Sequence, residues 1–439
     1  MKKLSIYIAA SLLSMATFAQ DDVYPAPAYK GLLFIKNATI HVGNGQVIEN
    51  GTIKVSNGKI EQVGAGISIP ADAVKVFDAA GKHVYPGLIL SNSDLGLHEI
   101  GSGVRASNDY AEIGDNNASV RSIVAYNTDS KVIGVLRSNG ILLAGVDPQG
   151  GTISGSSSVV QLDAWNWEDA AYKMENAMNF NMPSLFNRPN PFGGGGGRGF
   201  GAPAPEDPVK AGLEKIAAVK AFFREAKAYL SEGNHAEKNL KYEATKGLFT
   251  KQQKFFVHCD IVKEMLVAID FAKEFGFDVV IVGGSESYQI ADLLKQNNIA
   301  VILGQSHSLP TAVDDDVDQP FKTPAMLQKA GVLFSINDGD ETTRYRNLAF
   351  NAGTAASYGL GKEEALSAIT LNAAKILGVA DKAGSLEVGK DANILICEGD
   401  ILDMRTSIVT NAFIQGRQVS LENKQKQLNE RYKSKYGIK

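Results

Sequence analysis

The chain contains 439 residues, more than one ordinary domain holds, so a large domain with a smaller companion is expected. Its residues are 44% hydrophobic and 21% charged, and its net charge is -4. This composition is typical of globular proteins. The net charge and the absence of a basic run in the sequence do not indicate a nucleic-acid-binding protein. Only two cysteines occur, Cys259 and Cys397, which argues against a disulfide framework or a cysteine-rich metal cluster.

The first twenty residues have the pattern of a secretory signal peptide. Residues 1–3 are positively charged after the initiator methionine, residues 4–15 are mostly apolar, and Ala19 ends a plausible cleavage site before Gln20. The apolar run is shorter than the roughly 20 residues that a transmembrane helix needs. We therefore predict that residues 1–19 are a signal peptide and that the cleaved protein is periplasmic or secreted, with no membrane span.

Short strands are predicted over residues 30–87. Apolar residues recur at 52–55 and 59–63, and Asn57-Gly58 lies between these runs. Asn-Gly between alternating apolar residues is a strong hairpin signal. This segment is therefore predicted to be a small antiparallel β unit.

From residue 88 to residue 382, apolar strands alternate with amphipathic helices. Predicted strands lie at 141–146, 254–258, 278–282, 300–304 and 332–336, and predicted helices at 213–230, 261–275, 288–297 and 324–330. This alternation implies a parallel sheet. The length favours a closed β/α barrel, with an open doubly wound sheet as the alternative. No Gly-x-Gly-x-x-Gly turn opens a helix, so a dinucleotide site is not indicated.

Two glycine-rich segments interrupt this region. Residues 189–208 are rich in glycine and proline and predict an insertion loop within the barrel, either an inert linker or a lid over its mouth. Residues 150–155 follow the strand at 141–146. A tight loop is favoured there over a phosphate cradle, because the glycine spacing matches no P-loop.

The chain returns to short strands over residues 383–420, with apolar runs at 393–397 and 409–416. Residues 421–439 are strongly charged, which predicts a solvated terminal helix or tail.

Motifs at both ends of the β/α region resemble those of the amidohydrolase superfamily. Val84-Tyr85-Pro86-Gly87-Leu88-Ile89 is similar to the entry into the family's first barrel strand, and residues 384–393 are similar to its exit motif, Gly-x-Ile-x-x-Gly-Lys-x-Ala-Asp. The resemblance covers nearly the whole chain after residue 19 and is strongest for the imidazolonepropionase-like branch. It implies an α/β fold: a (β/α)8 TIM-like barrel beside a small β-sandwich that both chain ends form.

The resemblance also implies a metal site at the carboxyl ends of the barrel strands. The family's usual ligands are a His-x-His on strand one, a lysine or glutamate on strand four, and histidines on strands five and six. The metal lowers the pKa of a bound water, and an aspartate on strand eight takes up the proton. No lysine between residues 163 and 250 lies in a clearly predicted strand, so the bridging ligand of this chain is not identified.

Most of the matching positions in this chain carry other residues. The family's Asp-x-His-x-His reads Leu-Ser-Asn-Ser-Asp here, with Asn92 and Asp94 at the histidine positions. His258 matches the histidine of strand five, whereas Gly283 stands at the histidine of strand six. Asp338 matches the catalytic aspartate of strand eight. The resemblance therefore implies a degenerate metal site.

From these matches we predict His258, Asp94 and Asp338 as ligands of one divalent metal such as zinc, with Asp338 as the catalytic proton acceptor. His98 and His307, near predicted strand ends, are further candidates. An asparagine oxygen is a poorer zinc ligand than an imidazole. The alternative is therefore a protein without a metal, in which a hydrogen-bonded His258 and a turn aspartate at 338 are structural.

Two functions follow as hypotheses. The first is an exported hydrolase that cleaves C–N bonds of cyclic or amino-acyl amides with a metal-activated water. The second is a catalytically inactive, amidohydrolase-like subunit that binds a small molecule, forms homo-oligomers or pairs with an active relative. A binding protein unrelated to hydrolysis is a third, weaker interpretation. The loss of three histidines favours the second, and the substrate cannot be identified because specificity in such barrels lies in the loops.

Overall fold

The computed structural model describes residues 24–71, 75–99, 108–186, 207–311, 314–339 and 342–438. The predicted signal peptide and most of the predicted insertion loop lie outside these ranges. The end of that loop is corrected: a helix begins at Pro208, and the Asp207 side chain accepts a hydrogen bond from the Val209 N–H at 3.0 Å. Proline at the first position and aspartate before it are favourable helix starts. No helix of the described residues is long and apolar enough to cross a membrane.

The strands are numbered in chain order. They are β1 (Leu32–His41), β2 (Val47–Ser56), β3 (Lys59–Ala65), β4 (Lys75–Asp78), β5 (His83–Pro86), β6 (Leu88–Leu90), β7 (Ile141–Val146), β8 (Ile153–Gln161), β9 (Ala171–Asn181), β10 (Lys254–Cys259), β11 (Val279–Gly283), β12 (Ala300–Leu303), β13 (Phe334–Ile336), β14 (Ile394–Cys397), β15 (Val409–Ile414) and β16 (Arg417–Val419).

The helices are numbered in the same way. They are α1 (Ser122–Ala125), α2 (Lys131–Ser138), α3 (Trp167–Ala170), α4 (Pro208–Glu232), α5 (Leu240–Glu243), α6 (Lys246–Phe249), α7 (Val262–Phe275), α8 (Ala291–Gln296), α9 (Gln319–Ala330), α10 (Leu348–Ala355), α11 (Lys362–Ala368), α12 (Leu371–Leu377) and α13 (Lys424–Tyr436). Short 3-10 turns lie at Ser287–Ile290 and Tyr345–Asn347, and a π turn lies at Ala356–Leu360.

One eight-stranded sheet joins the two ends of the chain. Its strands follow the order β16-β15-β14-β5-β1-β2-β3, and β4 pairs with the first half of β1. The link between the chain ends is the antiparallel pair of β5 and β14. Because β1 is ten residues long, it pairs with β4 near its start and with β5 near its end. The expected sandwich is thus one branched sheet that divides at β1.

The hairpin between β2 and β3 has the predicted turn. Asn57 and Gly58 adopt positive φ angles of 50° and 78°, and Ser56 pairs with Lys59 across the turn. Asparagine and glycine tolerate this backbone region better than other residues.

The second sheet contains β6 to β13 in chain order. The pairs β6–β7, β9–β10, β10–β11, β11–β12 and β12–β13 are parallel, as expected. The expectation of a tight loop over residues 150–155 is corrected, because β8 begins at Ile153 and runs antiparallel to both β7 and β9. The serine- and glycine-rich sequence of β8 conceals a strand that is buried along its whole length.

The second sheet curls until its first and last strands meet, giving a TIM-like barrel whose backbone ladder is not closed. No backbone pairing joins β6 to β13. Side chains connect them instead: the hydroxyls of Ser91 and Ser335 lie 3.0 Å apart, and Asn337 Oδ1 accepts the backbone N–H of Ser91 at 3.0 Å.

Alternation along the strands separates two apolar clusters. One includes Ile89, Phe256 and Ile302 together with residues of α12, and fills the interior of the curled sheet. The other includes residues of opposite parity, such as Val257 and Val301, and packs against the surrounding helices. Because successive strand residues point to opposite faces, the interior set continues at the carboxyl ends of the strands into the site described next.

Candidate functional site

A cavity of about 650 Å³ opens at the carboxyl ends of the strands of the second sheet. This is the end at which β/α barrels carry their active sites. Side chains that follow several different strands converge on it. Those that match the family's positions or stand out chemically are Asn92, Asp94, Asp147, Asn181, His258 and Asn337.

Asp94 lies in the cavity wall, and its carboxylate already has hydrogen-bond partners within the protein. Its carboxylate accepts a hydrogen bond from the Tyr345 hydroxyl and lies 3.2 Å from His98 Nδ1. The predicted assisting residue His98 is therefore a partner of Asp94 at the cavity edge. His307, the other candidate, bonds to Thr354 Oγ1 at 2.7 Å and lies outside this cavity.

His258 lies at the end of β10 on the interior face. Its Nε2 is 2.9 Å from Asn179 Oδ1, and Asn179 donates its amide N–H to the Gly155 carbonyl at 3.3 Å. This arrangement makes Nε2 of the neutral imidazole the donor. Burial lowers the pKa of His258 to about 4, because a charged imidazolium loses its hydration there.

Asp338 does not line the cavity, which corrects its assignment as the proton acceptor. It is buried, and its Oδ2 accepts a hydrogen bond from Asn351 of α10 at 3.0 Å. Strand alternation explains the difference, because Asp338 shares the outer face with Phe334 and Ile336. The residue that reaches the interior at the end of β13 is Asn337.

Asn337 fastens the two edges of the curled sheet. Its Oδ1 accepts the N–H groups of Ser91 and Asn92 at 3.0 and 3.2 Å, and its Nδ2 donates to the Asn92 carbonyl at 2.8 Å. An amide can do this because it carries both donors and an acceptor, whereas an aspartate carries acceptors only.

Strand four of the barrel order is β9, which the sequence did not reveal. Its end carries Asn179 and Asn181, so amides occupy the region of the family's bridging ligand. Asn181 Nδ2 donates to the Gly151 carbonyl and to Ser154 Oγ, each at 2.8 Å. Lys173, near the start of β9, donates to the Gly378 carbonyl at 3.1 Å instead.

Gly283, at the histidine position of strand six, has a backbone conformation and neighbours that disfavour a side chain. Its φ angle is +101°, and a Cβ atom there would lie 2.8 Å from Asp260 Oδ1 and 3.1 Å from the Cys259 carbonyl oxygen. Side chains rarely adopt this backbone conformation. A histidine at this position would therefore be strained and would have to displace the Asp260 side chain.

The residues present do not fit the family's metal centre. Within the described part of the chain, no three histidine, cysteine, aspartate or glutamate side chains are arranged to hold a metal ion. Asp94 and His258 both line the cavity, whereas Asp338 does not, so the three predicted ligands do not form one group. Amide side chains, which replace the missing imidazoles, are poor ligands for zinc.

Asp147 is the functional candidate that sequence reasoning missed. It lies in the cavity wall with 3% of its surface exposed. Burial raises its pKa to about 7, although hydrogen-bonding groups of Ser157, Ser93, Asn179 and Asn92 lower it in part. A buried carboxyl that titrates near neutrality in a cleft is a strong functional-site indicator.

A signal for Asp147 was present in the sequence. Asp147-Pro148 directly follows the predicted strand at 141–146, and polar residues at the carboxyl ends of barrel strands are positioned for function. Its burial and lack of a cationic neighbour could not be read from the sequence.

Comparisons with known proteins agree with the fold. Residues 235–419 match the model of the amidohydrolase family. An imidazolonepropionase from Thermoplasma volcanium is 37% identical over 86 residues, which cover 19% of this chain and only 21% of that relative.

Solved structures extend the similarity over most of the chain. An amidohydrolase from Thermotoga maritima superposes with a TM-score of 0.76 at 26% identity, covering 88% of this chain and 99% of that one. A putative prolidase from Bifidobacterium longum has a TM-score of 0.52 at 18% identity, covering 92% and 100%, and shows the shared fold. With the motifs at both ends of the barrel, these similarities agree with the resemblance to the amidohydrolase superfamily.

Proposed function

We propose that this protein is an exported amidohydrolase-like pseudoenzyme that binds a small molecule at the barrel mouth and does not activate water with a metal. The single observation that carries this proposal is the replacement of the metal-binding interior by an amide network. Asn179, Asn181 and Asn337 bond to the protein itself, and Gly283 carries no metal-ligating side chain and has a backbone that disfavours one.

The cavity is suited to a polar organic molecule. It combines amide and carboxyl groups with apolar side chains such as Met182 and Phe186, the mixture that small-molecule sites typically show. His258 presents a neutral imidazole at neutral pH, and the Asn92 Nδ2 atom is buried without a hydrogen-bond partner among the described residues. A ligand with an acceptor group would satisfy Asn92.

A second candidate function is hydrolysis of a C–N bond with Asp147 as the general base. One observation favours it: the pKa of Asp147, raised by burial to about 7, matches that of a base working near neutral pH. This mechanism would place the attacking water between Asp147 and the substrate carbonyl, without a metal.

Metal content and turnover test the proposal together. Protein purified without chelator, and again after incubation with zinc or manganese, is measured by mass spectrometry, and both preparations are assayed against cyclic amides and dipeptides. We expect no metal above background and no hydrolysis. One metal per chain, lost in an Asp94→Ala/His258→Ala variant, would overturn the pseudoenzyme proposal. Metal-free turnover that Asp147→Asn abolishes would establish the second candidate.

Export and partners belong to the same proposal. Fractionation of expressing bacteria, with sequencing of the mature amino terminus, is expected to place the protein in the periplasm or medium, beginning at Gln20. We further propose that the chain assembles with its own copies or with an active relative, which co-expression and light scattering test.

A further inference from the structure

The charged side chains that line the cavity all carry the same sign. They are Asp94, Asp147, Asp260 and Glu264, and no lysine or arginine is among the described residues of the wall. The one histidine among the described wall residues, His258, is held by Asn179 Oδ1, which lies 2.9 Å from its Nε2. A cavity with this lining attracts positive charge and repels negative charge.

Three of these carboxylates already have partners. Asp94 bonds to Tyr345. Asp260 accepts the Ser285 hydroxyl at 3.0 Å, and Glu264 accepts the Leu185 N–H at 3.0 Å. These three carboxylates contribute to the negative electrostatic potential of the cavity, but each is hydrogen-bonded to the protein.

Asp147 differs from the other three. It is 97% buried, the Ser93 N–H donates to its Oδ2 at a long distance of 3.3 Å, and the polar side chains of Ser157, Asn179 and Asn92 lie nearby. Its Oδ1 is buried and has no hydrogen-bond partner among the described residues. A buried acceptor without a partner costs free energy that a bound donor would recover.

An organic cation fits this site better than a metal ion. A metal would need several converging protein ligands, and none of the described residues form such a group. The volume of about 650 Å³ and the apolar side chains of Met182, Phe186 and Ile261 suit a ligand with a carbon body.

We propose that the cavity binds small molecules that carry a protonated amine or amidine, and that Asp147 receives the positive charge. This inference rests on the proposed binding function and names the chemical class of its ligand. The apolar wall holds the body of the ligand, while Asp94, Asp260 and Glu264 contribute to the attraction from a distance.

Two series of probes, matched in shape and differing in charge, test the inference. Benzamidinium, benzamide and benzoate form one series, and 1,4-diaminobutane, 1,4-butanediol and succinate form the other. Binding to the full chain is measured by calorimetry and by ligand-observed NMR. In at least one series, we expect the cation to bind about tenfold or more tightly than its neutral analogue, and the anion not to bind.

Variants assign the effect to Asp147. Asp147→Asn is expected to abolish the preference for the cation while leaving weak binding of the neutral analogue, which also shows that the cavity is intact. Asp270→Asn is the matched control, because it removes the same charge from an exposed position on the outer helix α7. It should leave the preference unchanged.

The outcomes separate this inference from the function on which it rests. Equal or tighter binding of the neutral or anionic probes in both series would overturn the inference, whether or not the variant folds, because the wild-type protein alone decides this point. A cation preference that Asp147→Asn retains would also overturn the role of that residue. Bound metal or amide hydrolysis in the same preparations would instead overturn the proposed binding function.

Discussion

Two buried aspartates lie in different regions of this molecule and have opposite surroundings. Asp163 lies at the junction of the two sheets, where Arg137 and Arg417 bond to its two oxygens at 2.7 and 2.9 Å. The backbone N–H of Ala26 also donates to it at 2.9 Å. Asp147 lies at the barrel mouth, has no lysine or arginine beside it among the described residues, and has a pKa raised by burial to about 7.

The difference distinguishes a structural carboxylate from a functional one. A buried carboxylate with a full set of partners connects the elements that carry those partners. For Asp163 these are β16, α2 and the segment before β1. A buried carboxyl that lacks partners lowers stability when it ionises, and such groups persist where a ligand or a reaction uses them. Asp163 and Asp147 are both buried, so what distinguishes them is whether their oxygens have a full set of hydrogen-bonding and charged partners.

Removing the paired aspartate should have the largest effect. Asp163→Ala leaves Arg137 and Arg417 without their buried counter-charge, which should lower the free energy of unfolding by about 3 to 5 kcal/mol. Urea denaturation measures this loss. Asp403→Ala, which breaks the exposed pair with Arg405, is the control and should cause no measurable change. Equal effects of the two substitutions would contradict the structural role of Asp163.

Removing the unpaired aspartate should have an effect that depends on pH. The pKa of Asp147 is about 7 in the folded protein, above its ordinary value of 3.8, so the folded state holds its proton more tightly. The stability that this group contributes is fully present below about pH 4 and is lost as the pH rises through 7, by up to about 4 kcal/mol. Asp147→Asn should therefore gain stability relative to wild type between pH 4 and pH 8, measured by urea denaturation at both values. A stability difference between variant and wild type that does not change with pH would contradict the raised pKa of Asp147.

His258 should show the opposite dependence. Its pKa of about 4 in the folded protein lies below its ordinary value of 6.5, so the folded state releases its proton more readily. The stability that this group contributes is present above about pH 6.5 and is lost as the pH falls through 4, by up to about 3 kcal/mol. His258→Gln should therefore gain stability relative to wild type as the pH falls from 8 to 4. The two wild-type effects offset each other, so only the single variants reveal them.

The smallest effect is expected at the strand-six position. Gly283→Ala should lower the free energy of unfolding by about 1 to 3 kcal/mol, because the backbone is left-handed and the new methyl group meets Asp260. Gly304→Ala, at the end of the neighbouring strand, is the control: a Cβ there meets nothing within 4 Å, so the change should stay within about 0.5 kcal/mol. Thermal denaturation compares the two. Tolerance of Gly283→His together with stoichiometric zinc binding would show that the metal site can be restored after all.

Sequence patterns predicted much of the fold because apolar periodicity and turn residues act locally. The Asn57-Gly58 turn, the helix around 213–230 and most parallel strands were readable for that reason. The strand β8 was not readable, since its serines and glycines carry no apolar signal. It is buried by β7, β9 and the segment near Val120, which packs so closely that a Cβ atom at Gly155 would lie 2.6 Å from the Val120 carbonyl oxygen.

The candidate site was predicted less well, and the error at strand eight shows why. The motif match assigned Asp338 to the site, whereas the register of β13 makes Asn337 the interior residue. One residue of offset moves a side chain from the cavity to the outer helices. The structure places His258 in the cavity wall, whereas its role as a metal ligand stays a prediction that this geometry does not support.

The sequence by itself determined the family motifs, the order of most strands and helices, and the chemical identity of the residues that replace the histidines, because these are properties of local segments. The tertiary structure alone decided which side chains face the cavity and which have partners. It separated Asp147 from Asp163, two aspartates that each follow a strand, because a buried carboxyl takes its chemistry from neighbours that are distant in the chain. The contact with Arg417, 254 residues away from Asp163, is one that no local pattern contains.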